Sequence, residues 1–239
     1  MDSFMLSLPA ALGRSVGQLT DPAILKVLAK SIAITLVLLL AIGFAAGAAT
    51  DALLSSSQFE YGSEIGALVA VLLTVVGGWL LFRIIALAVV QFFADEIVQA
   101  VERKHYPEAR SSARSLDWRE ELANSAKSTG RTILVNLGAL IVAIPLLLTA
   151  IGPAILFFVV NAWLLGRELL DLAWIRHRHS VDARPPIGAL ERLLLGATIA
   201  GLLLVPFVNL LAPVIGAAAA CHLVHRKKGT AMAANPDAA

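Results

Sequence analysis

An uncharged stretch with two prolines near its centre holds residues that could bind an anion. Residues 132–166 carry no charged side chain, and Pro145 and Pro153 divide them. A helix that begins just after Pro153 would direct its positive N-terminal end and its free N–H groups toward the middle of the membrane, which suits an anion. In the turn before it, Thr149 would add a neutral donor, and we include Gly152 among the candidate binding residues. The chemistry predicted is binding of an anion.

A second interrupted stretch repeats this plan. Residues 193–224 contain no Asp, Glu, Lys or Arg and are divided by Pro206 and Pro213. A helix that begins just after Pro213 would again present its N-terminal end at membrane depth, and Asn209 would supply a neutral donor. Broken helices whose N-termini face the substrate recur in transporters. The alternative is that both turns simply pack on neighbouring helices, and that the two stretches look alike because any membrane hairpin needs helix breakers.

Arg83 is the one charged residue within the apolar residues 65–94. Ionisable residues inside a membrane are often functional, so Arg83 could face a pathway and attract anions. The interpretation that we favour is that it extends its stem to the interface, where the charge stays in water. Both interpretations remain open.

The histidines and the single cysteine form no recognisable catalytic or metal motif. His222 and His225 are three residues apart and could share a helix face, while His177 and His179 lie on either side of an arginine. They would suit a metal or proton site, but we favour histidines at basic cytoplasmic helix ends. Cys221 is the only cysteine, which excludes an internal disulfide and a zinc site built from several thiolates. We therefore expect no enzyme activity, no cofactor and no metal.

The composition places the chain among integral membrane proteins. Hydrophobic residues make up 58% of the 239 residues and charged residues only 15%, as expected for a chain that is mostly inside a bilayer. The length suits one membrane domain, which we place at residues 1–228, followed by a polar tail at 229–239 that we expect to be disordered. The small net charge of +2 gives no reason to expect a nucleic-acid partner.

Two stretches are predicted to cross the membrane completely. Residues 31–49 are uncharged, and these nineteen residues are enough for one span. Residues 65–94 provide the second span, which we expect to continue as a helix through residues 95–102 with one apolar face. That face holds Ile97, Val98 and Val101.

The N-terminal residues 1–30 precede the first span with an amphipathic pattern. Such a pattern is typical of a segment that lies on the membrane surface. Asp21 and Pro22 match an N-cap and a first helical residue, so we expect a helix to begin there and to run into the membrane.

The basic residues determine the predicted orientation. Residues 50–64, between the two spans, include acidic residues but no lysine or arginine, whereas residues 95–131 contain seven Lys/Arg and residues 167–192 contain five arginines. The positive-inside rule therefore puts both termini and both basic stretches in the cytoplasm. Each proline-divided stretch then starts and ends on the cytoplasmic side.

Each of these stretches must form either a re-entrant hairpin or two complete crossings. The halves 132–144 and 154–166 have thirteen residues each, or about 20 Å of helix against a hydrocarbon core of about 30 Å. We therefore favour re-entrant hairpins, the first turning at residues 146–152. The predicted fold is all-α and integral to the membrane, with two full transmembrane helices and two proline-broken re-entrant helical hairpins.

Three segments share a family pattern in their order and spacing. They are Ile144-Pro145 through Pro153-Ala154-Ile155-Leu156-Phe157 to Asn161-Ala162-Trp163-Leu164-Leu165 and Glu168-Leu169-Leu170-Asp171; Val205-Pro206-Phe207-Val208-Asn209-Leu210-Leu211-Ala212-Pro213-Val214; and Phe92-Phe93-Ala94-Asp95 through Glu102. In these segments the chain resembles the CysZ-type sulfate permeases, which belong to a broader group of etoposide-induced-protein-like membrane proteins. The resemblance extends from about Gly17 to Lys228.

The resemblance implies two full spans, two pairs of helices that only partly penetrate the bilayer, and an oligomeric assembly. It also implies inward movement of sulfate across the bacterial inner membrane, feeding cysteine synthesis. We accordingly expect a homo-oligomeric inner-membrane permease for sulfate or a similar small oxyanion, in contact with membrane lipids and supplying sulfur assimilation.

One segment departs from the family pattern. After the N-terminal proline, members usually carry a Gly-x-Arg-Arg type cluster implicated in sulfate binding, and the matching residues here are Pro22-Ala23-Ile24-Leu25-Lys26. Lys26 alone keeps a positive charge, and an ammonium lacks the planar fork that binds an oxyanion bidentately. We expect Lys26 to attract the anion. The departure also fits an alternative function, a non-transporting scaffold or bilayer-shaping protein of the same fold.

Overall fold

The computed structural model describes residues 7–56, 75–82, 84–86, 88–89, 92–178, 183 and 185–234, apart from the side chains of residues 7, 46, 49–56 and 227–234. Among these residues the regular structure is helical, without a strand, which confirms the all-α prediction for this part of the chain. The described residues fall into two compact units, one from Met1–Ile24 and Ala94–Ala239 and the other from Leu25–Phe93. The single domain expected at residues 1–228 stays a prediction.

The helices are numbered in chain order. They are α1 Ser7–Gly17, α2 Pro22–Ser56, α3 Ala94–His105, α4 Pro107–Ser111, α5 Trp118–Leu146, α6 Gly152–Trp174, α7 Ala189–Leu203 and α8 Val208–Ala234. Short 3₁₀ turns cover Gln18–Thr20 and Leu147–Thr149. Helix α2 begins at Pro22 as predicted, because proline is well suited to a first helical position.

Three of the described helices are long and apolar enough to cross a membrane, by length and composition. The candidate spans are Pro22–Ala45, Trp118–Thr149 and Val208–Arg226, while the described residues within Val75–Ala86 belong to a shorter apolar helix. The chain is therefore a multi-pass membrane protein. Residues 65–74 of the predicted second span, and Arg83, lie outside the described residues.

The first hairpin consists of α5 and α6 and turns where it was predicted to turn. Helix α5 has 29 residues and α6 has 23, so they measure about 44 Å and 34 Å. Both helices are longer than the uncharged halves, 132–144 and 154–166, from which their lengths were predicted. The charged residues that flank those halves are helical too. The partial penetration of this hairpin therefore stays a prediction.

The second hairpin consists of α7 and α8, and one boundary within it was predicted wrongly. The second helix begins at Val208 rather than after Pro213, which lies inside α8. The chain turns around Pro206, which has no N–H to donate. Pro213 lies seven residues after Pro206, and it leaves the carbonyl of Asn209 without its usual helical donor.

Helix α8 forms the core of the larger unit. Helices α1, α3, α6 and α7 all pack against it, and almost every residue from 212 to 225 is buried. The N-terminal helix α1 buries Leu8, Ala11 and Ser15, so its apolar face lies on protein rather than on the membrane surface. On α3, the predicted apolar face is confirmed, since Ile97 and Val98 are fully buried.

A close helix crossing joins the two hairpins. A Cβ atom added at Gly166 in α6 would clash with the backbone carbonyl of Arg192 in α7, and one added at Gly196 would clash with the carbonyl of Ala162. Small residues allow helix backbones to approach in this way. The crossing fixes where the side chains next to it, at the ends of α6 and α7, come together.

Candidate functional site

The turn of the first hairpin brings two of the predicted site residues into contact. The Gly152 N–H donates to Thr149 Oγ1 at 3.0 Å, and that hydroxyl donates to the Leu146 carbonyl at 2.7 Å. The next residue, Pro153, has no N–H, and the Ile155 N–H already donates to the Ile151 carbonyl at 3.1 Å. The donors that were predicted to face an anion are thus largely used within the turn, and the assignment of Thr149 and Gly152 to a binding site stays a prediction.

Both hairpin turns contain a residue with a positive φ that is not glycine. Ala150 has φ 56°, and the Ile151 N–H donates across it to the Thr149 carbonyl at 2.6 Å. Phe207 has φ 64°, and the Val208 N–H donates across it to the Pro206 carbonyl at 2.8 Å. Each is a γ-turn of the strained kind. The two hairpins therefore share a turn as well as a proline pattern.

The other predicted site residues do not join the Thr149–Gly152 pair through a described contact. Asn209 is buried near the start of α8, 6% exposed, and its N–H donates to the Val205 carbonyl at 3.0 Å. Lys26 is exposed near the start of α2. Arg83 lies outside the described residues, so its predicted role cannot be placed beside theirs.

A cluster of arginines surrounds Asp171 at the far end of the first hairpin from its turn. Arg167 Nε lies 3.6 Å and Arg131 Nη1 4.0 Å from Asp171 Oδ2. Arg192 and Arg178 also act electrostatically on this carboxylate. We call these four arginines the arginine cluster. The close crossing at Gly166 explains the arrangement, because it places Arg167 on α6 beside the first turn of α7.

Asp171 lies just outside the uncharged run, and its side chain is about half-exposed. Burial raises the pKa of its carboxyl more than the surrounding guanidinium groups lower it. The Nε atoms of Arg167 and Arg192 are buried without a hydrogen-bond partner among the described residues. The Thr132 hydroxyl donates to Glu168 at 3.2 Å nearby. Arg167 Nε thus meets Asp171 at ion-pair distance but without a hydrogen bond, and Arg192 keeps an Nε donor without a hydrogen bond.

A second polar site is buried in the core of the larger unit. Glu102 on α3 is fully buried, and its Oε1 accepts hydrogen bonds from His177 Nε2 at 2.8 Å and His225 Nε2 at 3.1 Å. Arg176 Nη2 lies 3.6 Å from Glu102 Oε2 and 3.4 Å from Asp95. Burial opposes ionisation of Glu102, but the two histidine hydrogen bonds and the Arg176 charge outweigh it and lower the pKa to about 2. Glu102 is thus a carboxylate.

A second chain of hydrogen bonds lies beside this carboxylate. The Gln18 amide is 2.9 Å from His222 Nε2 and 2.8 Å from His105 Nε2, and Tyr106 Oη is 2.8 Å from His222 Nδ1. If the amide donates to both rings, His222 carries its proton on Nδ1 and donates to Tyr106. Burial raises the pKa of the Tyr106 hydroxyl, so Tyr106 stays neutral. These bonds join the turn after α1 and the C-terminal end of α3 to α8.

Three groups in this core could together hold a metal ion. Ligand atoms of Glu102, Cys221 and His225 all lie within 4.8 Å of one another, and all three residues are buried. From the sequence we expected neither a metal site nor a role for the histidines beyond the helix ends. The burial of Glu102 could have been predicted, since Glu102 follows Val98 by four residues and so lies on the apolar face of α3. The contact between His177 and His225 depends on helix packing, which their spacing in the sequence does not reveal. His179 lies outside the described residues.

The helical architecture and its candidate spans define a multi-pass helical membrane protein. The chain matches the family described as sulfate transporter CysZ/etoposide-induced protein 2.4 over residues 11–213. The match covers most of the chain, so the chain belongs to this family, and the resemblance found in the sequence is confirmed. No individual curated protein matches the chain significantly.

Proposed function

We propose that the protein is a permease that moves sulfate or a similar small oxyanion across the bacterial inner membrane and supplies sulfur assimilation. The observation that carries this proposal is the membership of the chain in a family described by sulfate transport, over residues 11–213. Both termini would lie in the cytoplasm, the two hairpins would enter the membrane from that side, and the permease would be a homo-oligomer. Its partners would be the oxyanion and membrane lipids, without a nucleic acid.

The arginine cluster supports an oxyanion as the substrate. The residues that replace the family's N-terminal arginine cluster offer only the Lys26 ammonium, whereas Arg131, Arg167 and Arg192 present planar guanidinium groups from three different helices. Such groups bind sulfate-like oxygens bidentately. The Asp171 carboxylate is itself an oxyanion held between Arg167 and Arg131, at 3.6 and 4.0 Å. A free oxyanion of similar geometry would compete for the same donors.

Lys26 and Arg83 would attract the anion by their positive charge. During its passage, the neutral groups at Thr149, Gly152 and Asn209 would replace part of its hydration at membrane depth. Because the Gly152 N–H is already bonded to Thr149, this replacement requires the anion to compete with that bond. The arginine cluster would then receive the anion at the cytoplasmic ends of the hairpin helices.

Equilibrium binding of radiolabelled sulfate to the purified protein in detergent tests the substrate assignment. We expect saturable binding, and we expect Arg167→Gln to weaken it about tenfold or more, since a charge-assisted hydrogen bond contributes about 1.5–3 kcal/mol and about 1.4 kcal/mol is tenfold. Arg119→Gln is the matched control. Arg119 is an exposed arginine that stacks on Trp118, with its guanidinium carbon 5.3 Å from the ring centroid, and its loss should leave sulfate affinity unchanged.

The alternative function, a membrane scaffold of the same fold that does not transport, predicts a different result. A scaffold would bind no sulfate saturably, and Arg167→Gln and Arg119→Gln would behave alike. Equal, non-saturable binding by all three proteins would overturn the permease proposal and favour the scaffold.

A further inference from the structure

A thiol, an imidazole and a carboxylate meet in the core of the larger unit, away from the arginine cluster. Glu102 comes from α3, and Cys221 and His225 come from α8, four residues apart and so on one helix face. Glu102 and Cys221 are fully buried and His225 is 6% exposed. Helix packing therefore brings three different potential metal ligands into one enclosed place.

The distances among these ligands suit a small metal ion. All three ligand atoms lie within 4.8 Å of one another, and His225 Nε2 lies 3.1 Å from Glu102 Oε1. In a tetrahedral zinc site the ligand atoms are about 2.0–2.3 Å from the metal, and therefore roughly 3.3–3.6 Å from each other. The Glu102–His225 separation is just below that range and the others are at most 4.8 Å. Metal binding would replace the hydrogen bond between His225 and Glu102, with the Nε2 proton of His225 released or moved to Nδ1.

Unused polar atoms at the same place form an independent observation. Glu102 Oε2 and His177 Nδ1 are buried without a hydrogen-bond partner among the described residues. Oε2 faces the Arg176 guanidinium at 3.6 Å, beyond hydrogen-bond distance. Because Oε1 takes the hydrogen bonds of both histidines, Oε2 is the oxygen of Glu102 with the most free lone pairs for a ligand bond.

We propose that Glu102, Cys221 and His225 bind a divalent transition-metal ion of the zinc type. The mixed sulfur, nitrogen and oxygen donors select such an ion over magnesium or calcium, which prefer oxygen ligands alone. A thiolate and a carboxylate neutralise the charge of the ion, so the centre can lie next to the Arg176 guanidinium. Three protein ligands leave a fourth position for water or another small ligand.

His177 acts as a positioning residue in this site. Its Nε2 is 2.8 Å from Glu102 Oε1 and holds the carboxylate in place, as outer partners of metal ligands commonly do. The ion would join α3 to α8, which form the inner part of the unit. This role is independent of the proposed transport of oxyanions, because it uses none of the same side chains.

The test is cobalt binding to the full-length protein, purified in detergent without a polyhistidine tag and stripped of metal. We expect one Co²⁺ per chain, with the visible absorption of a tetrahedral ion and a thiolate-to-cobalt charge-transfer band. Cys221→Ser is close in size to the native residue and should remove the charge-transfer band. Competing Zn²⁺ should displace the cobalt and abolish both absorptions.

His105→Gln is the matched control, since His105 is exposed and is not one of the three ligands. It should bind cobalt like the wild type, whereas His225→Gln should weaken binding by at least tenfold. Circular dichroism of each variant without metal establishes that it is folded. Wild-type protein that shows no charge-transfer band, or the same cobalt spectrum as folded Cys221→Ser, would overturn the proposal.

Discussion

At the scale of single residues, the two polar sites arise from different kinds of information. Glu102 follows the apolar pattern of α3, so its burial could be predicted from spacing. Its two histidine partners could not, because His177 and His225 are far apart in sequence and meet only through packing. The predicted donors Thr149 and Gly152 do lie in one turn, but they bond to each other. A sequence identifies groups able to bind an anion, but not whether their donors are already used.

Asp171 is the residue on which the charge balance of the arginine cluster depends, and Asp171→Asn tests that balance. The substitution removes the carboxylate that competes for Arg167 and Arg131, so we expect sulfate to bind about threefold to tenfold more tightly. Arg167→Gln changes affinity in the opposite direction. Binding isotherms of the purified variants provide the measurement.

The stability of Asp171→Asn provides a control, because the direction of the change in its free energy of unfolding can be predicted. Burial raises the pKa of Asp171, so its contribution to stability is present at low pH and is lost as the pH rises through the folded pKa. At neutral pH, Asp171→Asn should therefore be at least as stable as the wild type. Weaker sulfate binding by this folded variant would show that Asp171 does not compete with the anion.

At the scale of elements, the prolines predicted that both apolar stretches fold back, and glycines determine how they pack. Pro153 marks the start of α6 as predicted, whereas Pro213 lies inside α8. A proline can occupy more than one position near the beginning of a helix. The sequence therefore predicts where the chain turns more accurately than it predicts the first residue of the next helix. The crossing of α6 and α7 at Gly166 and Gly196 joins the hairpins and was not predicted. Small residues in a sequence indicate that a helix packs closely, but not which helix packs against it.

Gly196→Ala tests whether this crossing holds the hairpins together. The added methyl group would clash with the Ala162 carbonyl oxygen, so the helices must move apart, at a cost of about 1–3 kcal/mol. We expect the thermal midpoint in detergent to fall by about 2–4 °C for each kcal/mol. The control, Gly201→Ala on the same helix, meets no atom within 4 Å and should be neutral or stabilise by about 0.5–1 kcal/mol. Equal midpoints for the two variants would contradict the close crossing.

At the scale of the whole molecule, composition and hydropathy determine most of what could be predicted. Long apolar helices give a multi-pass membrane protein, and the order of three segments gives its family, which the match over residues 11–213 confirms. The depth to which the hairpins enter the membrane could not be derived from the sequence. The predicted helix lengths counted only uncharged residues, whereas the helices of the first hairpin continue through charged residues. The family's usual N-terminal arginines are replaced here by Lys26. We propose that the arginine cluster around Asp171 provides the oxyanion donors that this segment lacks.

Sulfate flux tests the central claim most directly. The purified protein is reconstituted into lipid vesicles, radiolabelled sulfate is added outside, and uptake is compared with that of empty vesicles and of vesicles containing Arg167→Gln. We expect saturable uptake by the wild type and by the Arg119→Gln control, with clearly slower uptake by Arg167→Gln at low sulfate. Uptake by the wild type that equals that of empty vesicles would contradict the account.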